Sequence, residues 1–175
     1  AIVGDYPTVV FGHSYGGVVA LASATKGNPA LRAIATFEAP RAWEEWWPAP
    51  PSSDIDPADA AEHFLRHLIG DDRWEGLPEM IRRRRRAEGT LMVEELHAQT
   101  ARRYNAEMMD IPLVIGVGER SGDHAQRAAL NTAEEGKMSR LVSIAGAGHS
   151  APTTHPQQVA ALIHSAIIDA QLTDV

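Results

Sequence analysis

The stretch that decides the reading is Thr8-Val9-Val10-Phe11-Gly12-His13-Ser14-Tyr15-Gly16-Gly17-Val18-Val19-Ala20-Leu21-Ala22. Thr8 to Phe11 has the composition of a buried strand, and Val18 to Ala22 that of a helix. The residues between them, Gly12 to Gly17, leave room only for a sharp turn with Ser14 at its apex. So tight a turn forces the serine into strained backbone angles, and the residues two before and two after must be small for strand and helix to pass closely. Gly12 and Gly16 are expected to supply that clearance. The Ser14 hydroxyl is then presented at the C-terminal edge of a sheet, with the Tyr15 amide aimed at the same space from the first helical turn.

A second glycine-bracketed turn, Gly146-Ala147-Gly148-His149-Ser150-Ala151-Pro152, follows another apolar run near the C-terminus. On these two motifs, read together as "GHSYGG" and "GAGHSAP", the chain resembles the C-terminal two thirds of the α/β-hydrolase family. The resemblance implies an α/β fold in which a parallel sheet carries helices on both faces and a helical cap is inserted. It implies a nucleophile at Ser14, an oxyanion donor at the Tyr15 amide and a general base at His149. His13 is expected to pack beside the elbow or orient it. Family members begin with several strands before the elbow, and an early loop supplies the second oxyanion amide. Nothing of that kind precedes Gly12, so the N-terminal strands are expected to be absent here. Three readings stay open: a partial chain, a partner chain that supplies the front strands, or a degenerate relative. Ala1 to Pro7 read as a helix end and the turn into the elbow strand.

Along the chain the elbow helix is expected to run to about Lys26 and stop at Gly27, before a second buried strand, Ala33 to Phe37, that finishes at Glu38. Composition then changes. Residues 39 to 57 hold Trp43, Trp46 and Trp47 among five prolines, too many breakers for regular structure and too aromatic for a plain linker. Three helices are predicted to follow: one capped by Asp56, opened by Pro57 and ending near Gly70; one from Pro78 to Gly89; and one capped by Thr90 and reaching about Ala106. A buried strand at Leu113 to Val117, a helix to about Glu135, a strand at Leu141 to Ala145 and a helix opened by Pro156 complete the pattern. That last helix is expected to bury Val159, Leu162, Ile163, Ala166 and Ile167 on one face. The organisation expected is a core part at 1–38 with the elbow, a helical cap at 39–110, and a core part at 111–175 with the histidine loop.

A serine that attacks a carbonyl needs a base within hydrogen-bond reach, and the base needs a third group to fix its tautomer and stabilise its cation. His149 suits the base by position. The third group is less clear, because the resemblance places an aspartate about three residues after the glycine that ends the penultimate strand, and Gly118-Glu119-Arg120-Ser121 has serine there. Asp123 could still reach His149 from a slightly longer loop, with Glu119 pointing away at the surface. Glu38 is the other candidate, as some family members carry the acid after the strand that follows the elbow. A carboxylate between Phe37 and Ala39-Pro40 would be costly to bury unless a cation or imidazolium pairs with it. Both acids remain open.

The chain has 175 residues, 44% hydrophobic and 22% charged, which suits one globular domain with a real core. A formal charge of -7 argues against nucleic-acid and anionic-membrane partners. The five consecutive arginines Arg82 to Arg86 read either as a solvated helix balanced by Glu79, Glu88, Glu94 and Glu95 or as a contact for an acidic substrate group. With no cysteine there is no disulfide framework, which suits a reducing compartment, and a cytoplasmic location is expected. No apolar run approaches the roughly 18 residues needed to cross a bilayer. His63 and His67 are spaced as i and i+4 but lack the surrounding motif of a metal helix, so neither metal nor cofactor is expected.

The expected activity is therefore that of a serine esterase with a Ser14, His149 and Glu38-or-Asp123 triad acting on a small-molecule ester. Trp43, Trp46 and Trp47 would favour an apolar substrate if they line the pocket. The resemblance also admits carbon–carbon bond hydrolases and cofactor-free haloperoxidases. The alternative is a non-catalytic or truncated hydrolase-like binding module.

Overall fold

A computed structural model describes residues 5–172 of the chain. The elements run β1 (Thr8–His13), α1 (Tyr15–Ala24), β2 (Leu31–Phe37), α2 (Pro57–Ile69), α3 (Asp71–Glu75), α4 (Glu79–Ala87), α5 (Gly89–Ala98), a 3-10 turn (Ala106–Met108), β3 (Leu113–Gly118), α6 (Asp123–Glu135), β4 (Ser139–Ile144), α7 (Ala151–Thr154) and α8 (Pro156–Leu172). They divide into two compact units, one of Ala1–Pro40 with Arg103–Val175 and the other of Arg41–Arg102. The second unit ends at Arg102 rather than at the residue 110 expected for the insertion, and the Tyr104 hydroxyl bonds the buried Thr132 of α6 within the first unit. Of the helix end and turn read at Ala1 to Pro7, Ala1 to Gly4 lie outside the described residues, and Asp5 to Pro7 form no helix.

In the first unit the four strands pair in parallel in chain order, β1-β2-β3-β4. Parallel neighbours need crossover connections, and α1 and α6 provide two of them, packing on β1–β2 and β3–β4. Every residue of β3 is buried, as are all of β2 except Arg32, which explains their continuous apolar runs. The outer strands β1 and β4 are only partly buried, being edges of the described sheet. Helix α8 covers one sheet face by setting Leu162, Ala166 and Ala170 against Ala33, Ala35 and Val114. Inward positions at a spacing of four place Ala170 in this row, and Ile167, expected inside, is exposed. Below the His149 loop, Ala147 and Ala151 pack on Phe37, Ile144 and Val159.

The second unit is helical. Asp56 caps α2 by accepting the amides of Ala58 and Asp59, Pro57 opens the helix, and Gly70 ends it with a φ of 87°. Short α3 is an addition to the expected helices, and α5 has Glu88 rather than Thr90 at its cap position, starts at Gly89 and stops at Ala98 rather than near Ala106. Trp74 of α3 is buried, and its indole N–H donates to Glu62 of α2 at 3.1 Å. All five arginines of α4 have carboxylate partners inside this unit: Arg82 with Glu75, Arg83 with Glu79, Arg84 and Arg85 with Glu88, and Arg86 with Asp59 and Glu62.

Candidate active site

The turn after β1 has the strain expected of it. Ser14 sits at φ 53° and ψ -128°, a region L side chains seldom enter, and its amide donates to the Phe37 carbonyl at 2.9 Å. Of the two glycines the motif suggested, Gly12 supplies the clearance and Gly16 does not, while Gly17 is a further crowded position. A Cβ on Gly12 would lie 2.3 Å from the Gly16 carbonyl oxygen, and one on Gly17 would lie 2.7 Å from the Ala39 Cβ, whereas one on Gly16 would meet nothing within 4 Å. Strand and helix therefore cross at Gly12, while the second close approach joins α1 to the residue after Glu38. Tyr15 is the first residue of α1, so its amide is among the N–H groups that a helix start leaves without an intrahelical partner.

Strand β2 ends the same way as its neighbour. His13 and Phe37 are paired in register, and the next residue on each strand, Ser14 and Glu38, has a positive φ, 52° for Glu38. The Glu38 amide continues the ladder to the Gly116 carbonyl at 2.9 Å, while its side chain turns toward the end of the sheet. There the two carboxylate oxygens are divided. Oε2 accepts from His149 Nδ1 at 2.7 Å, and Oε1 accepts from the Gly118 amide at 3.0 Å and from the Ser121 hydroxyl. Burial pushes the Glu38 carboxyl up, but the bonds from His149, Ser121 and the Gly118 amide more than reverse it, holding the group below the ordinary glutamate value. An ionised carboxylate only accepts, so His149 carries a proton on Nδ1, and in the neutral imidazole Nε2 is then the acceptor.

His13 anchors the other side of the imidazole. Its ring lies 4.6 Å from that of His149, centroid to centroid, and its Nε2–H donates to the His149 carbonyl at 2.9 Å. Burial, reinforced by the nearby His149, holds His13 below the ordinary histidine value, and that favours the neutral form. The loop after β3 is stitched to the His149 loop as well, through the Arg120 amide to the Ala147 carbonyl at 2.8 Å and the Gly146 amide to the Glu119 carboxylate at 2.8 Å. Glu119, expected to point away, is exposed yet makes this bond.

Ser14, Glu38 and His149 are thus gathered at the C-terminal ends of β1 and β2. Asp123 is exposed at the start of α6, and the carboxylate on His149 is that of Glu38. Sequence reasoning noted Ser121 only as a departure from the family pattern and missed its bond to Glu38. Trp43, Trp46 and Trp47 fall in the second unit, where Trp46 and Trp47 rest against each other at 6.1 Å. Among the described residues no group of three or more His, Asp or Glu could hold a metal ion, and no helix is long and apolar enough to cross a membrane.

The profile of the alpha/beta hydrolase family matches residues 1–162. The chain belongs to the alpha/beta hydrolase family. Among curated proteins no sequence matches significantly. Solved structures of alpha/beta hydrolases share the fold at low identity. MGS-M2, an alpha/beta hydrolase enzyme from a Medee basin deep-sea metagenome library, is 16% identical with a TM-score of 0.69, the match covering 94% of this chain and 66% of that one. The enol-lactonase from Burkholderia xenovorans LB400 is 14% identical with a TM-score of 0.65, covering 90% of this chain and 64% of that one. An alpha/beta hydrolase from Sphaerobacter thermophilus is 19% identical with a TM-score of 0.60, covering 89% and 67%. This chain therefore spans about two thirds of the length of the alpha/beta hydrolases it resembles.

Proposed function

We propose that the chain carries the nucleophile, base and acid of a serine hydrolase that cleaves a small ester through an acyl-enzyme. The observation that carries this reading is the 2.7 Å bond from His149 Nδ1 to Glu38 Oε2, made beside a serine held at a positive φ. With Nδ1 committed to Glu38, His149 takes the Ser14 proton at Nε2 as Ser14 Oγ attacks the acyl carbon. The Glu38 carboxylate stabilises the imidazolium so formed, and the Tyr15 amide donates to the oxyanion. His149 returns the proton to the departing alkoxide, leaving the acyl group on Ser14. Water then attacks that ester with His149 again as base, releasing the acid and restoring the serine.

A thermophilic esterase from Thermogutta terrifontis, human thioesterase 2 and an enol-lactonase are among the structures of similar fold, which supports testing oxygen esters, thioesters and lactones side by side. A soluble, cytoplasmic setting without metal or cofactor belongs to the same reading.

The test is labelling with a fluorophosphonate, for this chain and for the chain joined to any upstream coding sequence, each beside Ser14→Ala and His149→Ala. Labelling at Ser14 that falls by at least about 10³-fold without His149 is the expected result. Absence of labelling in both forms refutes the hydrolase and leaves the binding-module reading.

A further inference from the structure

We propose that Ser121 is a positioning residue, whose hydroxyl holds Glu38 Oε1 so that Oε2 faces His149; this rests on the serine-hydrolase reading above. A glutamate at a strand end has three rotatable bonds, and its carboxylate could turn to present either oxygen, both, or neither to the imidazole. Here the turn is prevented from one side only. The Gly118 amide and the Ser121 hydroxyl both converge on Oε1, while among the described residues His149 alone bonds Oε2. The hydroxyl must be the donor, since an ionised carboxylate offers no proton.

Ser121 is itself fixed in place. Its amide donates to the Gly118 carbonyl at 3.1 Å, and its carbonyl accepts from Gln126 Nε2 at 3.2 Å. The loop on which it lies is bonded at Arg120 to Ala147, two residues before His149. One short loop therefore holds both partners, the carboxylate by a side chain and the histidine loop by its backbone. A hydroxyl bond to a charged group is stronger than a neutral one, and its loss leaves Oε1 with the Gly118 amide alone. Ser121 stands where the family resemblance places an aspartate, so a residue at that position keeps a part in the same pair while acting as donor instead of acceptor.

The test compares Ser121→Ala and Ser121→Thr in the whole chain, with two readouts. The first is the rate of fluorophosphonate labelling at Ser14. The second is the titration of the Glu38 carboxyl followed by carbon NMR, with His13 and His149, the ionisable groups facing it, followed through their ring signals in the same samples. Ser121→Ala is expected to slow labelling about 10-fold, the low end for a lost bond to a charged group, and to move the Glu38 titration upward. Ser121→Thr, which keeps the hydroxyl, is expected to restore both. An unmoved Glu38 titration in Ser121→Ala overturns the inference, as does loss of both readouts in Ser121→Thr when that variant melts where the parent does. Should the parent fail to label both alone and joined to upstream coding sequence, the serine-hydrolase reading fails while the Glu38 titration still decides the role of Ser121.

Discussion

Glu38 is a buried carboxylate whose position is explained by the imidazole it bonds, and this gives a sharp comparison at the scale of single residues. Glu38→Gln keeps the size and the strand-end backbone but replaces an acceptor that fixes the imidazole tautomer with an amide able to present N–H instead. Ester hydrolysis is expected to fall on the order of 10³–10⁴-fold, the scale on which a triad fails when its base is held in the wrong tautomer. Asp123→Asn, altering an exposed residue at the start of α6, is expected to leave the rate within about 2-fold, as surface changes away from a site generally do. Steady-state kinetics on one activated ester measure both, and the reverse ranking would move the acid to Asp123.

At the scale of elements, the crossing of β1 and α1 turns on one glycine. Gly12→Ala would drive a Cβ to within 2.3 Å of the Gly16 carbonyl, backbone against backbone with no flexible side chain to yield, and is expected to cost about 3 kcal/mol. Gly16→Ala adds a methyl into open space inside a helix and is expected to gain about 0.5–1 kcal/mol. Urea denaturation of the two variants measures the contrast. The motif alone could not have supplied it, because the pattern of spaced glycines is the same whichever of them meets a neighbour. What was legible in the sequence was local: the cap of α2 at Asp56-Pro57 and its end at Gly70, the apolar runs of β2 and β3, and the turn around Ser14, each decided by residues within one turn of each other. The choice between Glu38 and Asp123 depends on β2 lying between β1 and β3, a matter of pairing across some eighty positions that no short-range pattern encodes. Short α3 and α7 escaped for the opposite reason, having too few residues to show a period.

For the whole molecule, acid stability follows from two groups whose folded values lie below their ordinary ones. The unfolded chain binds a proton at His13 below about pH 6.5, while the folded chain resists it, so this part of the stability is present above 6.5 and is lost as pH falls through the lower folded value. Glu38 behaves the same way lower down, contributing above about pH 4.5 and losing that contribution as pH falls further. Melting temperature measured from pH 8 to about pH 2 is therefore expected to decline in two stages. His13→Asn, which retains an N–H donor, should flatten the upper stage, and Glu38→Gln the lower. Identical profiles for all three proteins would refute the assignment.

Two neighbouring strands each end on a residue bent into a conformation that glycine adopts freely, at Ser14 and at Glu38. Backbone energy alone would favour glycine at both places, but the buried Glu38 carboxylate is also held by its bonds to His149, Gly118 and Ser121. The two positions therefore differ in what holds them. At 14 glycine is the downhill direction for the backbone wherever the hydroxyl is not needed, whereas at 38 the same change would strip His149, Gly118 and Ser121 of their shared acceptor.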